Sequence, residues 1–156
     1  MGAVTYPNDK VVEFIMGHMV PVQVLFNAEP LATNFNVKWT PTLITLDEEG
    51  KEHHRTVGFL PPEELIPSLM LGIAKCHFDR SKFQEAIVML DRLLKEYPKS
   101  DAAPEAVYVR GVSEYQSTHS AEPLKKAYER LKSEFPSSER VKRAKPYSIL
   151  WPSSSR

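Results

Sequence analysis

Two amphipathic runs in the second half of the chain end in the same way, and this limits the fold more than any other feature. Residues 81–98, SKFQEAIVMLDRLLKEYP, set Phe83, Ala86, Ile87, Leu90, Leu93 and Leu94 at the spacing that gathers one apolar stripe on a helix. Residues 121–136, AEPLKKAYERLKSEFP, repeat the pattern through Ala127 and Leu131. Each run closes on an aromatic residue followed by proline, Tyr97-Pro98 and Phe135-Pro136, 38 positions apart. Proline carries no N–H and drives the residue before it out of the helical region, so each helix stops and the chain turns. A one-sided helix that turns into another buries its stripe against it. The intervening APEAVYVRGVSEYQS and the preceding PPEELIPSLMLGIAKCHF supply those partners, so the chain from Pro61 to the tail reads as helical hairpins. In the second of these, Pro61, Pro62, Glu63 and Glu64 suit a first helical turn, and Pro67 marks a point of strain or a kink.

The first half has a different grain. NDKVVEFIMGHM predicts a short helix capped by Asn8 or Asp9, with Val11, Val12, Ile15 and Met16 on its apolar face. VPVQVLF, residues 20–26, is β-branched and reads as a buried strand. EPLATNFNV fits a short helix and a loop. TPTLITLDEEGKEHHRTVGF reads as a hairpin: Thr42–Leu46, a DEEG turn with Gly50 at the residue that takes positive φ, and a return strand His53–Val57.

Charge and cysteine content exclude several chemistries. Twenty Lys and Arg balance twenty Asp and Glu, which gives no basic excess for nucleic acid and little self-repulsion against association. The single cysteine, Cys76, cannot form a Cys-x-x-Cys pair or anchor a multi-cysteine zinc site, and it reads as a small buried residue of a helix interface. His53 and His54 point to opposite faces of a strand, and His18, His77 and His119 are scattered, so no metal site is expected and the histidines read as solvated or packed. Asp47, Glu48 and Glu49 read as a solvated polar turn rather than an acid–base pair. There is no glycine-rich phosphate loop, serine elbow or other catalytic signature, and no cofactor is expected. No apolar run reads as a secretory signal or a membrane span, so the expected setting is the cytoplasm, with no membrane partner.

From Tyr6 to Ala74 the chain resembles the thioredoxin-like superfamily, carried by Trp39-Thr40-Pro41-Thr42, the LDEEG turn, and Gly58-Phe59 leading into a final helix. From Met70 to Pro136 it resembles tetratricopeptide repeats, carried by Ala74, Phe78, Phe83, Ala86, Leu90 and Pro98, then by Gly111, Tyr115, Ala127, Leu131 and Pro136. The order of the two resembles a bacterial arrangement. The fold class implied is α/β: a truncated thioredoxin-like sheet over residues 1–74, an all-α tetratricopeptide-like domain over 75–145, and an irregular tail over 146–156.

The first resemblance implies a cis bond before Pro41 and a backbone contact from Thr40 to an extended substrate, with Trp39 bordering the groove. The dithiol that such a site uses is not in the sequence, nor are two strands of the family's sheet. One of those would lie between VPVQVLF and TPTLITL. The two strands could then pair directly, a second copy of the chain could fill the space, or the remaining residues could lie upstream. The second resemblance implies a concave peptide groove with Tyr108, Arg110 and Tyr115 as candidates. The functional expectation is a redox-inactive protein-binding module that self-assembles as a dimer, with a protein or peptide partner. The alternative is a thiol-disulfide oxidoreductase whose dithiol segment lies upstream. No catalytic residue is expected in the chain itself.

Overall fold

The computed structural model describes residues 1–149. In order come α1 (Asp9–His18), α2 (Leu31–Asn34), β1 (Thr42–Leu46), β2 (Glu52–Val57), α3 (Pro62–Asp79), α4 (Phe83–Glu96), α5 (Ala103–Thr118), α6 (Glu122–Glu134) and α7 (Glu139–Ala144), and then a 3-10 turn at Lys145–Ser148. A small antiparallel hairpin is thus followed by helical hairpins. The expected irregular tail lies outside the described residues from residue 150 on.

α1 begins where Asn8 Oδ1 accepts the amide protons of Lys10 and Val11 at 3.1 and 3.3 Å. Its expected apolar face is rotated. Val11 and Phe14 are buried and Ile15 is half-buried, while Val12 and Met16 are exposed. The packing partner decides this: α1 lies on α3, and Arg92 of α4 sits over the Phe14 ring, which stacks on His18.

The hairpin forms as its turn chemistry dictates. Asp47 Oδ1 accepts from the amides of Glu49 and Lys51 at 3.1 and 2.8 Å, and Gly50 takes φ 81°. Thr42 to Thr45 pair with Val57 to His54, but Leu46 pairs with Glu52, so His53 is the extra residue of a bulge.

The run 20–26 departs from expectation. It forms no strand, and Val20, Val22, Leu25 and Phe26 are exposed by 67–88%. The sheet has only two strands, so β1 is paired on one side alone. A strand needs a neighbour's N–H and C=O groups, and no described segment offers them to this run. Direct pairing of the run with β1 does not occur within the chain.

α3 joins the two halves. Residues Leu65 to Gly72 are all buried, as in a helix covered on every side. One face meets the hairpin: a Cβ on Gly72 would come within 2.6 Å of Thr45 Oγ1 and 3.2 Å of His54 Cβ, so only glycine lets the helix lie this close. The rest packs on α4 and α5. Lys75 Nζ donates to Glu105 Oε1 of α5 at 2.8 Å, and Glu105 Oε2 accepts from Arg140 Nη2 of α7, also at 2.8 Å. The helix passes Pro67, its sixth residue, without a break. The expected division at residues 74/75 falls inside this helix.

The helical half packs along the stripe read from the sequence: Ala86, Leu90, Leu93 and Leu94 of α4 and Leu124, Ala127 and Leu131 of α6 are buried. Small residues set the spacing of α5 and α6. A Cβ on Gly111 would lie 2.6 Å from Ala127 Cβ and 3.1 Å from the Pro123 carbonyl oxygen. Neither neighbour is a flexible tip, so Gly111→Ala is expected to cost about 1–3 kcal/mol by overpacking, even though alanine favours the helix. Urea denaturation checks this; an unchanged or raised midpoint would mean that the helices part freely.

Candidate interaction surface

Exposed apolar side chains concentrate in one half of the protein. Of the 17 large hydrophobic residues that stand exposed among those described, 14 lie between Val4 and Phe59. The helical half contributes only Val88, Tyr115 and Ile149. Single exposed apolar residues are ordinary, but so many in one segment stand out from the rest of the surface.

Trp39, Thr40 and Pro41 sit in the loop that enters β1. Trp39 is 74% exposed, Thr40 is exposed and Pro41 half-buried. The Glu29–Pro30 and Thr40–Pro41 peptide bonds are cis. Three contacts fix this loop to the hairpin. Thr42 Oγ1 donates to the Trp39 carbonyl at 2.6 Å, Gly58 N–H donates to the Pro41 carbonyl at 2.8 Å, and Arg55 Nη2 donates to the Phe35 carbonyl at 2.6 Å. Arg55 is itself held by Glu52, at 2.7 and 2.8 Å. The tryptophan is therefore presented to solvent from an anchored backbone. Beyond Pro41 runs β1, whose free edge carries no charged side chain from Trp39 to Leu46. Ile44 and Leu46 project from the sheet face opposite Thr45, the residue that meets α3.

The helical candidates do not form one group. Tyr108 and Arg110 project to opposite sides of α5. Tyr108 packs toward the end of the chain, with its hydroxyl 2.9 Å from that of Tyr147 and the Arg140 guanidinium over its ring. Arg110 is engaged by Asp91 and Glu114. It lines a hollow of about 90 Å³ between α5 and α6. Tyr115 is 38% exposed, two turns beyond Tyr108. A depression of about 330 Å³ lies elsewhere, between the aromatic–proline turns at Lys99–Asp101 and Phe135–Ser138.

Glu48 and Glu49 of the charged turn are exposed as expected, but Asp47 is not. Asp47, with its side chain only 6% exposed, accepts from His53 Nε2 at 2.8 Å, and Asp79 accepts from His53 Nδ1 at 2.6 Å. Glu48 takes both terminal nitrogens of Arg80, at 2.6 and 2.7 Å. The bulge at His53 breaks strict alternation and re-aims the ring. Asp47 ahead of a glycine turn was readable as a turn anchor; Asp79 lies 26 residues from His53 and left no local signal. His54 is a separate case. Its Nε2 lies 3.1 Å from Ser68 Oγ, and burial, helped by the Lys75 charge, pushes its pKa down to about 4. Burial, with the Asp47 carboxylate adding to it, holds the Cys76 thiol above its usual range, which disfavours the nucleophilic thiolate. No cluster of three metal-ligating side chains occurs among the described residues, and no described helix is long and apolar enough to cross a membrane.

Comparison with known proteins agrees with this architecture. A family model described as a thioredoxin-like domain matches residues 3–71, and one named YfiO, described as outer membrane lipoprotein, matches residues 59–148. The two overlap over the first part of α3, the helix that packs on both halves. No curated protein and no solved structure matches over the chain. The YfiO match covers more than half of the sequence, and the chain belongs to that family, with a thioredoxin-like unit joined to it through α3.

Proposed function

We infer that the chain is a protein-binding module that works through the open side of its hairpin sheet and assembles with itself there. The observation that carries this reading is the concentration of exposed apolar side chains in residues 4–59, together with a strand edge that no described segment pairs with. An unpaired edge with no charge on it invites a further strand. The run 20–26 is rich in β-branched residues, lies outside any helix or strand, and is free of charge from Met19 to Ala28. Each copy therefore carries both an acceptor edge and a strand able to fill it, and the reciprocal dimer satisfies both. The zero net charge adds no long-range repulsion. Trp39 borders the edge as an aromatic contact for the incoming segment. The helical hairpins, tetratricopeptide-like in pattern, serve as the rigid support. They also offer a second surface at Tyr108, Arg110 and Tyr115, where alanine substitutions combined with peptide-binding assays test their part.

Sedimentation equilibrium tests the assembly. The wild-type chain is expected to dimerise, and Val22→Lys with Val24→Lys to weaken the dimer by at least about tenfold, since charges on a pairing strand oppose edge-to-edge contact. A monomer at every workable concentration overturns self-assembly. The single cysteine is compatible with a cytoplasmic setting, which is part of this proposal. Recovery with the cell envelope on fractionation would replace it with the setting named in the family's description.

A further inference from the structure

The contact between the β1–β2 turn and the end of α3 is organised by one side chain. The His53 ring is wholly enclosed, with Nδ1 2.6 Å from Asp79 Oδ2 and Nε2 2.8 Å from Asp47 Oδ2. A carboxylate oxygen only accepts, so both contacts are hydrogen bonds only when both ring nitrogens carry protons. The neutral ring has one N–H, and its bare nitrogen would then face an oxygen lone pair.

The charged groups acting on the ring are Asp47 from the turn and Asp79 from the end of α3; Glu48, Cys76 and Arg80, the residue after α3, lie around the same carboxylate pair. Arg80 is paired with Glu48. Burial works against the charged ring, but the hydrogen bonds to Asp47 and Asp79 outweigh it and lift its pKa above the ordinary histidine value.

The two carboxylates are not equivalent. Asp47 is 6% exposed and fixed by the amides of Glu49 and Lys51, whereas Asp79 is 39% exposed. A carboxylate that water can reach tolerates the loss of a partner better than one that it cannot. When a proton leaves the ring, the bond to Asp47 is kept and the bond to Asp79 is lost.

We propose that His53 is a proton-operated latch: doubly protonated, it ties the turn at the end of β1 to the end of α3, and loss of the Nδ1 proton opens the tie to Asp79 while the turn keeps its own shape. This rests on the reading of β1 as a binding edge, because it makes the rigidity of that edge depend on pH. His53 is the extra residue of the bulge opposite Thr45 and Leu46, so its release is felt at the last residues of β1.

The test uses the full chain, with NMR of the histidine ring nitrogens and native-state hydrogen exchange of the hairpin amides from pH 6 to pH 10. At pH 6, below its raised pKa, His53 is expected to carry both protons. It then titrates in one step above the ordinary histidine range, to the Nε2–H form. His54 and His77, both displaced downward by burial, titrate at lower pH and are thereby told apart. Across the His53 step, exchange protection near Leu46 is expected to fall several-fold after correction for the intrinsic rate. Asp79→Asn, which keeps a neutral acceptor, moves the step to lower pH; His53→Gln abolishes it. A neutral ring at pH 6, an Nδ1–H form at high pH, or a step that leaves hairpin protection unchanged overturns the latch. Sedimentation over the same pH range separates the two readings. No dimer at any pH, with the step and protection change intact, leaves the latch standing and removes the binding edge. A dimer indifferent to the step removes the latch's influence on binding.

Discussion

Met70→Ala is expected to lower the unfolding free energy by about 3 kcal/mol, and to do so for both halves of the protein at once. Met70 is fully buried in α3, among core residues that span α1, α3, α4 and α5. Truncation removes the transfer energy of a long apolar side chain and leaves a cavity that the surrounding helices fill only in part. Total stabilities of single domains are commonly about 5–15 kcal/mol, so the loss is a large share. The cooperative part of the prediction follows from α3, which carries the hairpin on one face and α4 and α5 on the others. Urea denaturation read by far-UV circular dichroism reports the helices. Trp39 fluorescence, in a Trp151→Phe background, reports the loop before β1. Coincident shifts are expected; a Trp39 transition that stays put while the helical one moves would show two independently folding units.

Stability is expected to fall by about 2 kcal/mol as pH drops from 6.5 to 4 on account of His54 alone. Its folded pKa of about 4 lies below the ordinary value of 6.5, chiefly through burial against α3. In this window the unfolded chain binds a proton that the folded chain refuses, so stability rises with pH and is lost as pH falls. The full shift would correspond to about 3 kcal/mol, and the smaller figure allows for a ring that keeps some contact with water. Glu105 adds to the acid limb, because Lys75 and Arg140 overcome the effect of its burial and lower its pKa; that stabilisation is lost as pH falls through its depressed folded value. His53 has the opposite sign, since its raised pKa gives stability that is lost as pH climbs through it. Comparing urea midpoints at pH 7 and pH 4.5 for wild type and His54→Gln isolates the first effect. The same acid loss in both would mean that the His54 ring is not desolvated as described.

The parts of the fold that are local in origin were legible in the residues. The hairpin follows from Asp47 and Gly50, which fix the turn, and from the β-branched residues that flank it. The helical hairpins follow from the stripe on α4 and from Tyr97-Pro98 and Phe135-Pro136, which end α4 and α6. The close contact of Gly111 with Ala127 was likewise readable as small residues in a repeat. Trp39 and the loop before β1 could be singled out, but nothing local said how far the tryptophan stands out from its anchored backbone.

Other features depended on what each segment meets. VPVQVLF has strand propensity, yet a strand is a property of two segments, and here the second is not supplied. The face of α1 turned toward Val11 and Phe14 because α3 and Arg92 lie there. Asp47 and His53 looked like turn and surface residues until Asp79 closed over them from α3. The sequence by itself determined the turns, the helix ends and the apolar stripes, because hydrogen bonds and sterics within a few residues set them. The tertiary structure alone decided which strand edge stays open, which helix both halves share and which histidine is locked between carboxylates. Those depend on desolvation and pairing between residues far apart in the chain, and no local pattern encodes them.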